Sequence, residues 1–274
     1  MHPITDVFFD YDYTLLDFDP GNAAAMAILA TSYGAPFAQA FDGAFQTVLQ
    51  AKRVQNDDWA NVPGGQEGFT KLRRRFTELQ GQDMFFPWSR QICAMYAAEQ
   101  INLPMTPAQA AEVAVVFWQA VAERATLYPD TLPFLQRLDD AGIPYHIFTG
   151  SDGHLRWQND VWAYDPDFAR TEKAKRLETL VPLGVRPASV TTGDPYEKPD
   201  KRFYEAMLRN AEIATGKNIL AAQAIAVGDS FAIDVQAPVD QLNLRGGYWL
   251  RRNQPGEQIN ARMWAVQSLA DIPL

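Results

Sequence analysis

Cysteine is almost absent from this chain of 274 residues, in which Cys93 is the only one. A single cysteine excludes a disulfide within the chain and excludes a metal site built from several cysteines. Disulfide-rich chains are typical of oxidising compartments, whereas a chain without disulfides is compatible with a reducing one. We therefore expect the protein to work in the cytoplasm.

Positive charge is also scarce. Lys and Arg total 24 against 33 Asp and Glu, and the formal net charge is -9 at pH 7. No basic excess is present to neutralise many phosphates, so we expect no binding to a nucleic-acid polymer or to an anionic membrane. The longest apolar run, residues 110–122, is interrupted by Glu112 and Gln119 and is too short to span a bilayer. An acidic protein can still bind one small phosphate where it gathers cations and a metal ion locally.

Apolar residues make up 47% of the chain, enough for one large domain or for a core with an inserted domain. The hydrophobic pattern divides the chain in two. Residues 18–126 have helical spacing almost throughout and contain no convincing strand, whereas helices and short apolar strands alternate after Leu127. Such alternation is typical of a parallel, doubly wound sheet.

We therefore predict an α/β fold, with a doubly wound, Rossmann-like parallel sheet as the core and an inserted all-helical cap domain. The core comprises residues 1–17 and 127–274, and the cap comprises residues 18–126. Residues 15–20 and 125–130 are expected to be the linkers between them. The predicted strands lie at residues 7–9, 145–148, 189–192, 224–227, 247–250 and 263–266.

Two carboxylates follow the first predicted strand. Asp10 and Asp12 come directly after residues 7–9, and Thr14 follows two positions later. In open α/β sheets, ligands bind at the carboxyl ends of the strands. Asp10 and Asp12 can both reach one pocket if the strand ends between them. Taken alone, this pattern is more often an ordinary strand end in which Asp and Thr form a turn.

Polar groups also follow the later strands. Thr149 and Gly150 follow one strand, Lys198 lies in the loop after the next, and Asp229 and Asp234 follow a third. A parallel sheet gathers such strand ends at one edge. Several carboxylates without His or Cys nearby favour a hard cation such as Mg²⁺. A hydroxyl, backbone N–H groups and a lysine favour a phosphoryl group.

Four segments, in this order, resemble motifs I to IV of the haloacid dehalogenase (HAD) superfamily: Asp-Tyr-Asp-Tyr-Thr (10–14), Phe-Thr-Gly-Ser (148–151), Lys-Pro-Asp (198–200) and Gly-Asp-Ser-Phe-Ala-Ile-Asp (228–234). Each motif alone is weak, but all four in order, each after a strand or loop of the right type, form a specific pattern. Residues 127–130, Leu-Tyr-Pro-Asp, also resemble the family's re-entry into the core after a helical cap of the C1 type. The resemblance covers the whole chain.

The resemblance implies a chemical role for the residues of motifs I to III. Asp10 matches the nucleophile, which attacks phosphorus and forms an aspartyl phosphate. Asp12 matches the general acid and base. Lys198 matches a residue that offsets charge at Asp10 and binds phosphate, together with Thr149 and the backbone of Gly150.

The resemblance also implies a metal site. Asp10, the Asp12 carbonyl and Asp229 match the protein ligands of Mg²⁺. Asp234 matches the second carboxylate of motif IV, which either binds the metal or supports its ligands. Thr14 is expected to brace the turn of motif I.

Asp12 distinguishes two branches of the superfamily. The dehalogenase branch lacks a carboxylate at that position and needs no metal, since a leaving halide needs no proton and a leaving alkoxide does. The resemblance therefore implies a Mg²⁺-dependent phosphatase acting on a small soluble phosphomonoester, such as a nucleotide, a sugar phosphate or a phosphoglycolate-like compound. The motif I context and the spacing of Asp229 and Asp234 are similar to those of nucleoside 5'-monophosphatase-like members. We expect a monomer or a homodimer.

Two alternatives stay open. One is a 2-haloacid dehalogenase-like hydrolase of a carbon–halogen bond, which Asp12 disfavours and which would work in EDTA. The other is a non-catalytic phosphate-sensing module, since receiver-like modules also place Asp, Thr and Lys on a parallel sheet. The large inserted cap argues against this second alternative.

Other residues depart from the family pattern or lie outside its motifs. Tyr13 stands where glycine is common, and Gly150 stands where asparagine is frequent. Residues 152–166 are longer and more aromatic than is typical after motif II, and the sequence gives no account of them. We expect His146 to be a buried, hydrogen-bonded histidine and His154 to lie at the surface.

Overall fold

The computed structural model describes residues 3–54, 58–81 and 85–274. The chain divides into two compact units. The core unit comprises the residues up to Phe18, Thr126–Gly150 and Glu178–Leu274, and the helical unit comprises Asp19–Ala125 and Ser151–Leu177. Residues 1 and 2 of the expected core segment lie outside the described residues.

Strands and helices both occur along most of the chain. The strands are β1 (Asp6–Phe9), β2 (Leu16–Asp17), β3 (Thr126–Leu127), β4 (Tyr145–Thr149), β5 (Arg156–Gln158), β6 (Val161–Ala163), β7 (Ser189–Thr192), β8 (Ala224–Gly228), β9 (Gly246–Leu250), β10 (Glu257–Asn260) and β11 (Met263–Val266). The α-helices are α1 (Asp19–Tyr33), α2 (Ala35–Lys52), α3 (Gly65–Gln80), α4 (Arg90–Gln100), α5 (Pro107–Arg124), α6 (Thr131–Asp140), α7 (Pro166–Glu178), α8 (Lys201–Thr215) and α9 (Ala237–Leu242). Within the described residues, no helix has both the length and the apolar character needed to cross a membrane.

Seven strands of the core unit form one sheet, in the order β10-β11-β9-β8-β1-β4-β7. Every neighbouring pair is parallel except β10 and β11, which are antiparallel. An antiparallel edge strand on an otherwise parallel sheet is common in doubly wound folds. The predicted Rossmann-like α/β fold is therefore confirmed.

The strand β1 is an interior strand of this sheet, between β8 and β4, and it is apolar on both faces. Residues 7–9 are fully buried, which is typical of a parallel strand covered on both sides. Phe9 is in register with Val227 of β8 and with Ile147 of β4. The carboxyl ends of three neighbouring strands therefore meet at the point where Asp10 leaves the sheet.

The two segments expected to be simple linkers form a short ribbon. The strands β2 and β3 pair antiparallel, with Leu16 opposite Leu127. The carbonyl of Leu15 accepts hydrogen bonds from the Tyr128 N–H at 3.1 Å and from the Thr131 hydroxyl at 2.8 Å. Strands of two residues carry no hydrophobic period, so the sequence pattern could not predict them.

Within the helical unit, the sequence explains where α5 begins and how closely α1 packs against it. Thr106 and Gln109 cap the start of α5 reciprocally, since each accepts a hydrogen bond from the other's backbone N–H, at 3.3 and 2.8 Å. The helices α1 and α5 pack closely at Gly21, where a Cβ atom would lie 2.8 Å from the Cα atom of Val121. Glycine at this position permits the close approach of the two helices.

Residues 151–177 belong to the helical unit, whereas the expected boundaries placed them in the core. They contain the hairpin of β5 and β6, which the sequence pattern did not predict. The Gln91 side chain donates to the Leu155 carbonyl at 3.2 Å. A Cβ atom on Gly153 would lie 2.6 Å from the Ser89 nitrogen. These close contacts with the start of α4 explain why this segment groups with the helices.

His154 is buried within the helical unit, so the expectation that it lies at the surface is wrong. Its ring centre lies 6.0 Å from that of Trp118 and 6.3 Å from that of Phe168. Burial lowers the pKa of His154, because desolvation disfavours the imidazolium. The residue therefore packs as a neutral aromatic ring at neutral pH.

His146 is buried in the sheet with both ring nitrogens in hydrogen bonds, as predicted. Nδ1 lies 2.9 Å from the Ser189 Oγ, and Nε2 lies 3.2 Å from Asp6 Oδ1. The ring of Phe8 stacks on the imidazole with a centroid distance of 4.8 Å. His146 thus links β1, β4 and β7 at the buried face of the sheet.

We predict that His146→Ala lowers the free energy of unfolding by about 2–4 kcal/mol, because it removes ring packing and leaves Asp6 without its imidazole partner. Urea denaturation followed by circular dichroism measures the change. Ser189→Ala is the control and should cost about 1 kcal/mol, since it removes one hydrogen bond. Equal stability of His146→Ala and the wild type would contradict a structural role for this histidine.

Candidate active site

Asp10 stands where β1 leaves the sheet. Its N–H donates to the Val227 carbonyl of β8 at 2.9 Å, so the neighbouring strand still holds its backbone. The residue is only 3% exposed. The Thr14 hydroxyl donates to Asp10 Oδ2 at 3.4 Å, which is a long hydrogen bond from the turn to the carboxylate. The carboxylate is therefore buried at the carboxyl edge of the sheet, where ligands bind in this fold class.

The turn after β1 folds the chain back on itself. The Leu16 N–H donates to the Tyr11 carbonyl at 3.2 Å, and the Tyr13 N–H donates to the Leu16 carbonyl at 2.8 Å. Tyr13 has a φ angle of 62°, in the left-handed region that favours glycine. The turn thus keeps a conformation suited to glycine although a tyrosine occupies the position. Asp12, within this turn, is half-buried.

Lys198 lies between β7 and α8 and pairs with two buried carboxylates. Its Nζ donates to Asp10 Oδ1 at 2.6 Å and to Asp234 Oδ1 at 2.8 Å. The ammonium also lies 4.2 Å from the ring centre of Phe148. Burial alone would lower the pKa of Lys198, but the charges and hydrogen bonds of Asp10 and Asp234 raise it above its ordinary value. Lys198 is therefore a fixed positive charge beside Asp10 at neutral pH.

Asp234 reaches this site because β8 ends in a glycine. The chain after β8 forms a single wide helical turn of the π type, Phe231–Gln236, a feature that is frequent at functional sites. Asp234 is fully buried, and the Ser230 N–H donates to its Oδ2 at 2.9 Å. A Cβ atom on Gly228 would lie 2.2 Å from the Cβ atom of Asp234. Only glycine at position 228 leaves room for this carboxylate.

The expected phosphate-binding positions lie at the end of β4. Thr149, its last residue, is 2% exposed and pairs in register with Thr192 of β7. A Cβ atom on Gly150 would lie 3.1 Å from Glu197 Oε1, which also accepts the Lys198 N–H at 2.9 Å. Glu197 had no predicted role. Its position directly before Lys198 is the feature of the sequence that could have indicated one. The absence of a side chain at Gly150 makes room for this carboxylate.

Comparison with known proteins identifies the family. A family model described as haloacid dehalogenase-like hydrolase matches residues 6–239, which is most of the chain. The chain belongs to the haloacid dehalogenase-like hydrolase family. It is therefore a hydrolase, and the resemblance found in the sequence is confirmed at the level of the family. A search of curated protein sequences found no significant match.

Solved structures of HAD-like hydrolases have a similar fold. The HAD-hydrolase YfnB from Bacillus subtilis, bound to magnesium, is 13% identical with a TM-score of 0.57 over 98% of this chain and 97% of that chain. The L-2-haloacid dehalogenase RSc1362 is 17% identical with a TM-score of 0.55 over 98% and 97% of the two chains. A structure described as a beta-phosphoglucomutase from Thermotoga maritima is 16% identical with a TM-score of 0.55 over 92% and 88%. Identities this low support the fold alone, and proteins of this fold act on carbon–halogen bonds as well as on phosphoryl groups.

HAD-like hydrolases generally use a divalent metal, and the residues of this site fit one. Carboxylate oxygens of Asp10, Asp229 and Asp234 all lie within 4.8 Å of one another. Lys198 carries one positive charge beside the carboxylates of Asp10 and Asp234. Carboxylate oxygens are ligands that suit Mg²⁺. The expected ligand set shares Asp10 and Asp229 with this cluster. Asp234, which was expected either to bind the metal or to support its ligands, also has its carboxylate in the cluster. Asp12 was expected to contribute its carbonyl.

We predict that Gly228→Ala displaces Asp234 and weakens both the fold and the candidate metal site. The added methyl group has no room beside Asp234, so the free energy of unfolding should fall by about 1–3 kcal/mol. The affinity for Mg²⁺, measured by isothermal titration calorimetry, should fall at least about tenfold because one carboxylate moves.

Gly43→Ala is the matched control for this prediction. Gly43 lies inside α2 with nothing within 4 Å of an added Cβ atom. That substitution should raise stability by about 0.5–1 kcal/mol, since alanine loses less entropy in a helix, and it should leave Mg²⁺ affinity unchanged. Wild-type stability and Mg²⁺ affinity in Gly228→Ala would show that the close approach of Asp234 is unimportant.

Proposed function

We propose that this HAD-like hydrolase is a Mg²⁺-dependent phosphatase, which hydrolyses a small phosphomonoester through an aspartyl-phosphate intermediate. The observation that carries the proposal is the position of Lys198, 2.6 Å from Asp10 and 2.8 Å from Asp234, beside a cluster of three carboxylates. A nucleophilic carboxylate repels an anionic phosphate unless positive charge lies beside both. Lys198 supplies that charge, and a metal held by the carboxylates adds to it.

Asp10 is the nucleophile of the first step. One oxygen of its carboxylate forms a bond to phosphorus while the bond from phosphorus to the leaving oxygen breaks, which produces an aspartyl phosphate. The Lys198 ammonium reduces the repulsion between the two anions as they approach. Because Lys198 already holds Asp10 through a hydrogen bond, little reorganisation is needed at the moment of reaction.

Asp12 is the general acid and then the general base. In the first step its carboxyl group gives a proton to the leaving oxygen, so that an alcohol departs. In the second step its carboxylate takes a proton from a water molecule, whose oxygen attacks phosphorus. The bond between phosphorus and Asp10 then breaks, which releases inorganic phosphate and restores both aspartates.

The remaining site residues hold the phosphate and the metal. Thr149, Gly150 and Lys198 would bind the phosphate oxygens through a hydroxyl, an N–H group and an ammonium. Mg²⁺ would be held by Asp10, the Asp12 carbonyl and Asp229, and Asp234 and Thr14 would support these ligands. When bound, the ion supplies positive charge that stabilises the phosphoryl oxygens.

Asp12 favours phosphate ester hydrolysis over cleavage of a carbon–halogen bond. A leaving alkoxide needs a proton and a leaving halide does not, so a carboxyl group two residues after the nucleophile serves the first reaction only. The acidic character of the chain agrees with a small phosphate ester as partner rather than a nucleic-acid polymer.

We predict that the wild type releases p-nitrophenol from p-nitrophenyl phosphate only when Mg²⁺ is present, and that EDTA stops the reaction. Asp10→Asn should lower kcat by at least about 10³-fold, because an amide is a poor nucleophile. The absorbance of p-nitrophenolate measures both effects.

Asp240→Asn is the control, since Asp240 is an exposed carboxylate paired with Arg262 at 2.9 Å and lies outside the site. It should keep the wild-type rate. Equal rates in Asp10→Asn and the wild type would refute the role given to Asp10. Halide release from a 2-haloacid in EDTA would instead support the carbon–halogen hydrolase.

We predict that Asp12→Asn uncouples the two chemical steps. The p-nitrophenolate group leaves without a proton, so the first step should proceed and release a burst of about one equivalent of p-nitrophenol. The second step needs the base and should be slow. With an alkyl phosphate, whose leaving group needs the proton, the same variant should show no burst in rapid-quench measurements. A wild-type steady-state rate on both substrates would exclude Asp12 from proton transfer.

A further inference from the structure

Arg252 links distant parts of the core unit. It follows β9, and its Nη1 donates to both carboxylate oxygens of Asp130, at 2.9 and 2.8 Å. Its Nη2 donates to the Thr14 carbonyl at 2.8 Å. The guanidinium also lies 3.7 Å from the ring centre of Tyr128. One side chain therefore joins the end of β9 and the start of α6 to the turn that follows Asp10.

Asp130 is fixed by further hydrogen bonds. The Ser268 hydroxyl donates to its Oδ2 at 2.7 Å, and the Leu269 N–H donates to the same oxygen at 2.9 Å. Burial alone would raise the pKa of Asp130, but the hydrogen bonds from Arg252, Ser268 and Leu269 hold it below its ordinary value. The side chains of Arg252 and Asp130 are 20% and 16% exposed, so water competes little with the pair.

Hydrogen bonds connect Arg252, through Thr14, to the candidate nucleophile Asp10. Thr14, whose carbonyl accepts from Arg252, donates its hydroxyl to Asp10 Oδ2 at 3.4 Å. The carbonyl of the next residue, Leu15, accepts the Thr131 hydroxyl at 2.8 Å. Two consecutive carbonyls of the turn are thus held by side chains from other parts of the core unit.

We propose that Arg252 and Asp130 are positioning residues, which hold the turn of residues 11–16 so that the Asp10 carboxylate keeps its orientation toward Lys198. Their effect on Asp10 is exerted through the turn, which Arg252 holds at the Thr14 carbonyl. The effect on catalysis rests on the function proposed above, whereas the effect on the turn does not.

Arginine suits this role better than lysine. Its planar guanidinium donates to Asp130 and to the Thr14 carbonyl at once, while a lysine ammonium is a single point charge on a flexible stem. Orientation matters because a displacement of roughly 1 Å at a reacting group can cost about 100-fold in rate. Loss of Arg252 should therefore affect the chemical step more than substrate binding.

The test compares Arg252→Ala and Arg252→Lys with Arg251→Ala in the full chain. Arg251 is a matched control, because its side chain is 16% exposed and donates to Glu257 at 2.7 Å and to the Pro255 carbonyl at 3.0 Å. Glu257 and Pro255 are both far from the turn after β1 in the sequence. The hydrogen bonds of Arg251 to these two residues do not involve that turn. Steady-state kinetics with p-nitrophenyl phosphate and Mg²⁺ give one readout, and amide hydrogen exchange across residues 11–16 gives the other.

Arg252→Ala should lower kcat by roughly 10- to 100-fold and change KM by less than about twofold. The amides of residues 13–16 should exchange at least about tenfold faster than in the wild type. Arg252→Lys should recover part of kcat, and Arg251→Ala should match the wild type in both readouts. A purely structural role would lower the melting temperature without this division between kcat and KM.

Equal kcat in Arg252→Ala and Arg251→Ala would overturn the proposal, as would faster exchange in the turn without any loss of kcat. If the wild type hydrolyses no phosphate ester, the proposed function fails by itself. Hydrogen exchange then decides the positioning claim alone: faster exchange in Arg252→Ala supports it, and unchanged exchange overturns it.

Discussion

The pairing of the Lys198 ammonium with two buried carboxylates is the interaction on which the site depends. A buried charge is strongly unfavourable unless an opposite charge and hydrogen bonds accompany it. Lys198, Asp10 and Asp234 meet this condition together, because the lysine donates to both aspartates. The fold therefore has to bring the chain segments that carry these three residues to one point. The local backbone features of the site follow from that requirement.

Those features are the turn after β1 and the wide helical turn after β8. The first places Tyr13 in a left-handed conformation, and the second brings Asp234 so close to the end of β8 that only glycine fits at position 228. Both are local departures from regular structure at the carboxyl ends of adjacent central strands. Departures of this kind persist where the surrounding structure holds them, and the hydrogen bonds of Arg252 and Thr131 to the first turn provide such support.

The helical unit shows the limit of assigning domains by secondary structure type. Residues 151–177 include two short strands, yet they contact the helices and group with them. An alternating pattern of helices and strands predicts a sheet but does not say which strands join it. The hairpin is held by contacts such as that of Gln91 with Leu155, across 64 positions of the chain.

The sequence by itself determined the α/β class, the strands of the central sheet other than β10 and the identity of the residues at their ends, because apolar runs and the motifs that follow them are local patterns. Thus Asp10, Thr149, Lys198 and Asp229 could be named from the sequence alone. Only the tertiary structure decided that the Asp234 carboxylate joins the cluster and that His154 is buried. It also decided that Arg252 meets Thr14, 238 positions away. Such contacts depend on how distant segments of the chain pack, and the local periodicity of the sequence does not predict this packing.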